Sequence, residues 1–139
     1  MISIPEHIRV LFVDDDANIR TVAQIGLEGL TDWDIELATS GYEALVLASN
    51  RVPDLILLDV MMPGLDGKET LAKLQEIPQM STVPVIFITA KVQSHEIQQY
   101  MSLGAAGVIT KPFDPMSLPE QIGAILARFQ PTLKVAACA

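Results

Sequence analysis

The chain has a single cysteine, Cys138, so no intrachain disulfide can form, and a reducing, cytoplasmic setting fits. Basic residues are scarce too. Nine Lys and Arg stand against 17 Asp and Glu, for a formal net charge of −8. Scattered as they are, they argue against the phosphate-binding footprint of a nucleic-acid protein and against attraction to anionic lipid. No apolar run approaches the roughly 18 residues that a membrane helix needs. The start, Met-Ile-Ser-Ile-Pro-Glu-His, lacks the basic segment and long apolar stretch of a signal peptide. There is no internal repeat, low-complexity segment or interdomain linker.

What is present is a core. Half of the 139 residues are hydrophobic, which excludes a disordered chain and fits one domain. We read residues 1–130 as that domain and 131–139 as a tail.

The run Asp54-Leu-Ile-Leu-Leu-Asp59 is short, almost wholly apolar and closed by the turn signals Pro63-Gly64 and Asp66-Gly67. Such a run reads as a strand buried on both faces. Similar strands are expected at 8–13, 33–38, 84–89 and 108–110. Helical spacing fills the gaps. Ile19, Val22, Ala23, Gly26, Leu27 and Leu30 form an inward stripe, and Asp16 is its N-cap. Ser40 and Glu43 form a capping box before the next helix. Residues 67–77 follow, with Leu71, Leu74 and Ile77 inward and Pro78 as the stop. Residues 94–103 carry Ile97, Tyr100 and Met101 on one face, with Tyr100 half in the core. A last helix starts near Asp114-Pro115 or at a Ser117-x-x-Glu120 capping box, with Leu118, Ile122, Ile125, Leu126 and Phe129 facing the core.

Strands that alternate with helices require a parallel sheet with right-handed crossovers and helices on both faces. In such α/β sheets ligands bind outside the C-terminal ends of the strands. Those ends here deliver Asp14 and Asp15, Asp59, Thr89 and Lys111 to one edge. Three crowded carboxylates repel one another and call for a cation. Hard oxygen ligands with open positions suit Mg²⁺, or Mn²⁺ in its place. Asp59 can then act as a carboxylate nucleophile on phosphorus. Lys111 and the metal would neutralise the phosphoryl oxygens, and Thr89 would donate a hydrogen bond to one of them.

The segments Val13-Asp14-Asp15, Leu58-Asp59-Val-Met-Met-Pro63-Gly64-Leu-Asp66-Gly67, Ile88-Thr89-Ala90 and Thr110-Lys111-Pro112-Phe113 together resemble the receiver domain of response regulators in two-component signalling. The resemblance covers about residues 7–130. It implies a flavodoxin-like, doubly wound five-stranded parallel sheet of order 2-1-3-4-5 with five helices. It also implies roles. Asp59 is the phosphoacceptor, Asp15 a direct Mg²⁺ ligand, Asp14 a neighbouring acid acting through water, and the Met61 backbone carbonyl the third protein ligand. Thr89 is the switch hydroxyl, and Lys111 pairs with the phosphate across a cis bond to Pro112. Met61 and Lys91 would flank the phosphoryl group and set how easily water reaches it.

One position departs from the pattern. Where the family carries an aromatic switch residue, this chain has Val108. The resemblance implies a stand-alone, chemotaxis-type signalling module rather than an enzyme with its own substrate. A sensor histidine kinase or phosphotransfer protein would supply the phosphoryl group. A target protein would read the face of the fourth helix, fifth strand and fifth helix. A phosphorylation-linked dimer is compatible with this scheme; direct binding to nucleic acid or membrane is not expected. The alternatives are a relay intermediate that passes phosphoryl to a second His protein, a receiver cut from a larger regulator, and an aspartyl-nucleophile phosphatase. The phosphatase is disfavoured because Met61 stands where a second Asp would serve as general acid. A flavodoxin-like cofactor binder is disfavoured because the loop after the first strand has no glycine. His7, His95 and Cys138 read as incidental or surface residues.

Overall fold

The computed structural model describes residues 4–129. Cys138 and the tail expected at 131–139 lie outside the described residues. Five parallel strands, β1 (Arg9–Val13), β2 (Asp34–Ala38), β3 (Leu55–Asp59), β4 (Val85–Thr89) and β5 (Gly107–Thr110), form one sheet in the order β2-β1-β3-β4-β5. Helices α1 (Ala17–Leu30), α2 (Gly41–Asn50), α3 (Gly67–Gln75), α4 (Ser94–Ser102) and α5 (Leu118–Arg128) make the crossovers. The flavodoxin-like order expected from the sequence is the order found.

Side chains that alternate across the strands feed two cores. Leu11, Val13, Ile56, Leu58, Val85 and Phe87 meet residues of α2, α3 and α4. Val10, Phe12, Leu55, Leu57, Ile86 and Ile88 meet residues of α1 and α5. β3 and β4 are buried along their whole length, as a two-faced apolar run requires. β2 lies at the sheet edge and is partly open.

Several local expectations are corrected. Val22 and Leu30 of α1 are exposed, because α5 and the Pro115 turn cover only the narrower stripe Ala23, Gly26 and Leu27. Met101 of α4 is exposed while Tyr100, two per cent accessible, is fully in the core rather than half in it. α3 ends at Gln75, so Ile77 lies beyond it and is half-buried, and Pro78 opens a 3₁₀ turn, Pro78–Met80. Phe129 is a half-buried C-cap of α5.

Two capping boxes fail in instructive ways. Ser40 Oγ does accept from Glu43 N–H, but the Glu43 carboxylate turns to the N–H and hydroxyl of Thr39. Ser117 precedes α5 without capping it, because its hydroxyl donates to the Asp114 carbonyl in the preceding turn. A complete box opens α3, where Asp66 and Glu69 cap each other's backbone N–H groups. Asp16 caps α1 as expected.

Candidate functional site

The C-terminal ends of β1, β3, β4 and β5 bring Asp14, Asp59, Thr89 and Lys111 to one edge of the sheet. Asp14, Asp59 and Thr89 are almost fully buried, and Asp15 is exposed. Each element holds its side chain for a local reason. The Asp14 carboxylate accepts from Asp16 N–H at 2.9 Å, and its carbonyl accepts from Arg20 Nη1 at 2.7 Å. Arg20, on α1, therefore pins the acidic loop from behind. Asp59 ends β3, and its Oδ1 accepts from Met61 N–H at 3.4 Å. The ends of β4 and β5 are tied by Lys111 N–H to Thr89 O at 2.9 Å.

Lys111 is the centre of charge. Its Nζ donates to Asp14 Oδ2 at 3.0 Å and lies 3.3 Å from Asp59 Oδ1. Ninety-seven residues separate Lys111 from Asp14 in sequence, and only the fold joins them. The Lys111–Pro112 bond is cis, as the sequence led us to expect.

These contacts do not fully compensate Asp59. Burial, and then the charge of Asp14, push its carboxyl up to about 6 against the opposing pull of Lys111 and the Met61 N–H. Burial pulls the Lys111 ammonium down, but its hydrogen bond to Asp14 and the charges of Asp14 and Asp59 outweigh this and hold it above the usual lysine range. A carboxylate so strained at neutral pH favours an added cation or a reaction that removes its charge.

Asp14, Asp15 and Asp59 can each offer one oxygen to a common point, these oxygens lying within 4.8 Å of one another. Two of the donors are buried and one faces solvent. An all-carboxylate set open on one side fits a hard divalent cation that keeps some of its water.

The remaining expected residues are placed as follows. Thr89 Oγ1 accepts from Lys91 N–H at 3.0 Å, while the Lys91 side chain is exposed. The Met61 side chain is exposed, and its backbone adjoins Asp59. Val108 is half-buried and registers with Phe87 on β4, two pairs away from the Thr89–Thr110 pair at the edge. Sequence reasoning missed two residues. Arg20 carries no signal in its neighbourhood. Gly67 read as a turn residue, but a Cβ there would collide with the Asp59 carbonyl, so the glycine lets α3 start directly behind the carboxylate. A concavity of about 470 Å³, lined by Leu71, Met80, Val85, Met101 and Phe129, opens at the opposite end of the strands and contains none of these groups. Among the described residues no helix is long and apolar enough to cross a membrane.

Comparison with known proteins agrees with this geometry. Residues 10–123 match a family model described as the response regulator receiver domain. The chain is 35% identical over 125 residues to response regulator Rre1 of Synechocystis sp., covering 90% of this chain and 54% of that protein. It is 39% identical over 120 residues to the alkaline phosphatase synthesis transcriptional regulatory protein PhoP of Bacillus subtilis, covering 86% of this chain and 49% of that one. It thus spans about half the length of these curated relatives. Among solved structures, the chemotaxis response regulator CheY4 of Vibrio cholerae superposes with a TM-score of 0.81 at 29% identity, over 86% of this chain and 98% of that one. The receiver domain of Francisella response regulator 1452 gives 0.78 at 30% identity, over 88% and 98%.

Proposed function

This chain belongs to the response regulator receiver-domain family of two-component systems, and from that premise we propose that it accepts a phosphoryl group on Asp59 from a phospho-His donor protein. The observation that carries the proposal is the double contact of Lys111 with Asp14 and Asp59, beside the exposed carboxylate of Asp15. We assign Asp14, Asp15, Asp59 and the Met61 carbonyl to a Mg²⁺ ion. When bound, that ion supplies positive charge against the phosphoryl oxygens.

The chain's own groups then have defined tasks. An Asp59 carboxylate oxygen attacks phosphorus in line, the phosphorus–nitrogen bond of the donor breaks, and its electron pair leaves with the imidazole. Lys111, already 3.3 Å from Asp59, pairs with a phosphoryl oxygen as it gains charge. The Thr89 hydroxyl, held at the adjacent strand end, donates to another. Lys91 and Met61 flank the pocket mouth and modulate water access. We assign no other catalytic activity to the chain. Output passes to a target protein through the surface of α4, β5 and α5.

A second reading, a receiver portion of a longer regulator, is favoured by one observation: curated relatives named as regulators are about twice as long. The length of the native polypeptide in its source distinguishes the two. Incubation with Mg²⁺ and acetyl phosphate or phosphoramidate tests the common core of both. The intact mass should rise by one phosphoryl group, and Asp59→Asn should abolish the gain while keeping its fold. Unchanged labelling of the variant overturns the assignment.

A further inference from the structure

Phosphorylation at a buried strand end has to reach a surface, and β5 offers no ring to carry it. Its Val108 is a half-buried valine beside Phe87. The contacts around the pocket lead instead to α4.

One route runs along β4. Thr89 and Phe87 are two residues apart, so their side chains leave the same face of the sheet. Phe87, inaccessible to solvent, meets Tyr100 of α4 edge-on, with centroids 5.3 Å apart and planes at 60°. Thr89 Oγ1 also holds Lys91 N–H, in the loop that leads into α4.

The other route runs through α3. Gly67 abuts the Asp59 carbonyl and donates its N–H to Val60 O at 2.9 Å. The next residue, Lys68, holds its ammonium 5.9 Å from the centroid of the Tyr100 ring and 3.5 Å from Gln99 Oε1. The backbone behind Asp59 and the side chain below Thr89 therefore both end on one ring.

We propose that Tyr100 is the positioning residue that couples the phosphorylation pocket to α4, where its ring joins the Thr89–Phe87 route to the Asp59–Gly67–Lys68 route. The inference rests on phosphorylation of Asp59. When Thr89 turns its hydroxyl toward a phosphoryl oxygen, Lys91 N–H loses its acceptor and the loop before α4 is released. Charge drawn into the pocket also moves the start of α3, and with it Lys68. The Tyr100 ring is rigid and meets both Phe87 and Lys68, so these shifts are passed to α4 and not absorbed by a side chain changing rotamer. A residue that only filled the core would need no ammonium over its face.

The test is amide NMR of the full chain with Mg²⁺, before and after addition of beryllium fluoride as a phosphoryl mimic. In the wild type, amides at the pocket (Asp15, Val60, Lys91, Lys111) and along α4 (Met101, Ser102) should shift. In Tyr100→Leu the pocket shifts should persist while the α4 shifts shrink by about threefold or more. Tyr100→Phe, which keeps the ring, and Val108→Ala should both respond like the wild type. Should Tyr100→Leu lose its folded spectrum, Phe87→Leu takes its place and must show the same selective loss. Full-sized α4 shifts in the leucine variant, or their loss in Val108→Ala, overturn the proposal while leaving phosphorylation intact. Pocket amides that do not respond in the wild type overturn the phosphorylation reading, and this inference with it.

Discussion

The Nζ of Lys111 lies 3.3 Å from Asp59 Oδ1, yet the Asp59 carboxyl still sits at about 6. One ammonium shared between two buried carboxylates does not satisfy both. The site is therefore poised for an additional cation.

Metal-free stability should fall as pH rises. The folded Asp59 carboxyl is raised from 3.8 to about 6, chiefly by burial. Its contribution is fully present below about 3.8 and is lost as pH rises through about 6. A shift of that size corresponds to about 3 kcal/mol at neutral pH. Asp59→Asn should therefore stabilise the protein in EDTA at pH 7.5 by about 1–3 kcal/mol, an advantage that shrinks by pH 5. Urea unfolding at both pH values reads this directly, and a variant no more stable than wild type at pH 7.5 contradicts it.

Divalent-ion affinity should track the same group. A ligating carboxylate must be deprotonated, so Mg²⁺ affinity should fall about tenfold per pH unit once pH drops below the Asp59 value. Calorimetric titration between pH 7.5 and pH 5 measures the slope. A flat profile would remove Asp59 from the ligand set.

Lys111→Met leaves Asp14 and Asp59 without their shared cation. We expect the metal-free fold to lose about 2–4 kcal/mol and millimolar Mg²⁺ to restore part of it. Phosphorylation by phosphoramidate should slow by about 10²–10³-fold, because a preorganised charge on the transferring group is lost. Thermal melts and a labelling time course check the two effects separately.

Two glycines should respond oppositely to alanine. At Gly67 a Cβ would collide with the Asp59 carbonyl and the Val60 Cα, so Gly67→Ala should cost about 1–3 kcal/mol. At Gly29, inside α1, a Cβ meets nothing within 4 Å, so Gly29→Ala should add about 0.5–1 kcal/mol of helix stability. Urea midpoints of the two variants on opposite sides of wild type would bear this out.

The parallel sheet was legible because its central strands, 54–59 and 84–89, are unbroken apolar runs and helices alternate with the strands. The pairing of Lys111 with Asp14 was legible only through topology, which gathers strand ends that are distant in sequence. Helix faces were less legible. The apolar stripe of α1 is wider than the surface that covers it, so Val22 and Leu30 matched the period and still face solvent. Ser117 matched a capping box, but the Asp114 carbonyl competed successfully for its hydroxyl. Tyr100 read as half core because its neighbours Lys68 and Phe87 lie on other elements.

The central claim is that Asp59, and not Asp14 or Asp15, carries the phosphoryl group. Borohydride reduction of the phosphorylated protein, followed by peptide mass mapping, tests it most directly, because an aspartyl phosphate is reduced to homoserine. The account predicts homoserine at position 59 alone, dependent on Mg²⁺. Homoserine at 14 or 15, or none anywhere after full incubation with phosphoramidate, would contradict it.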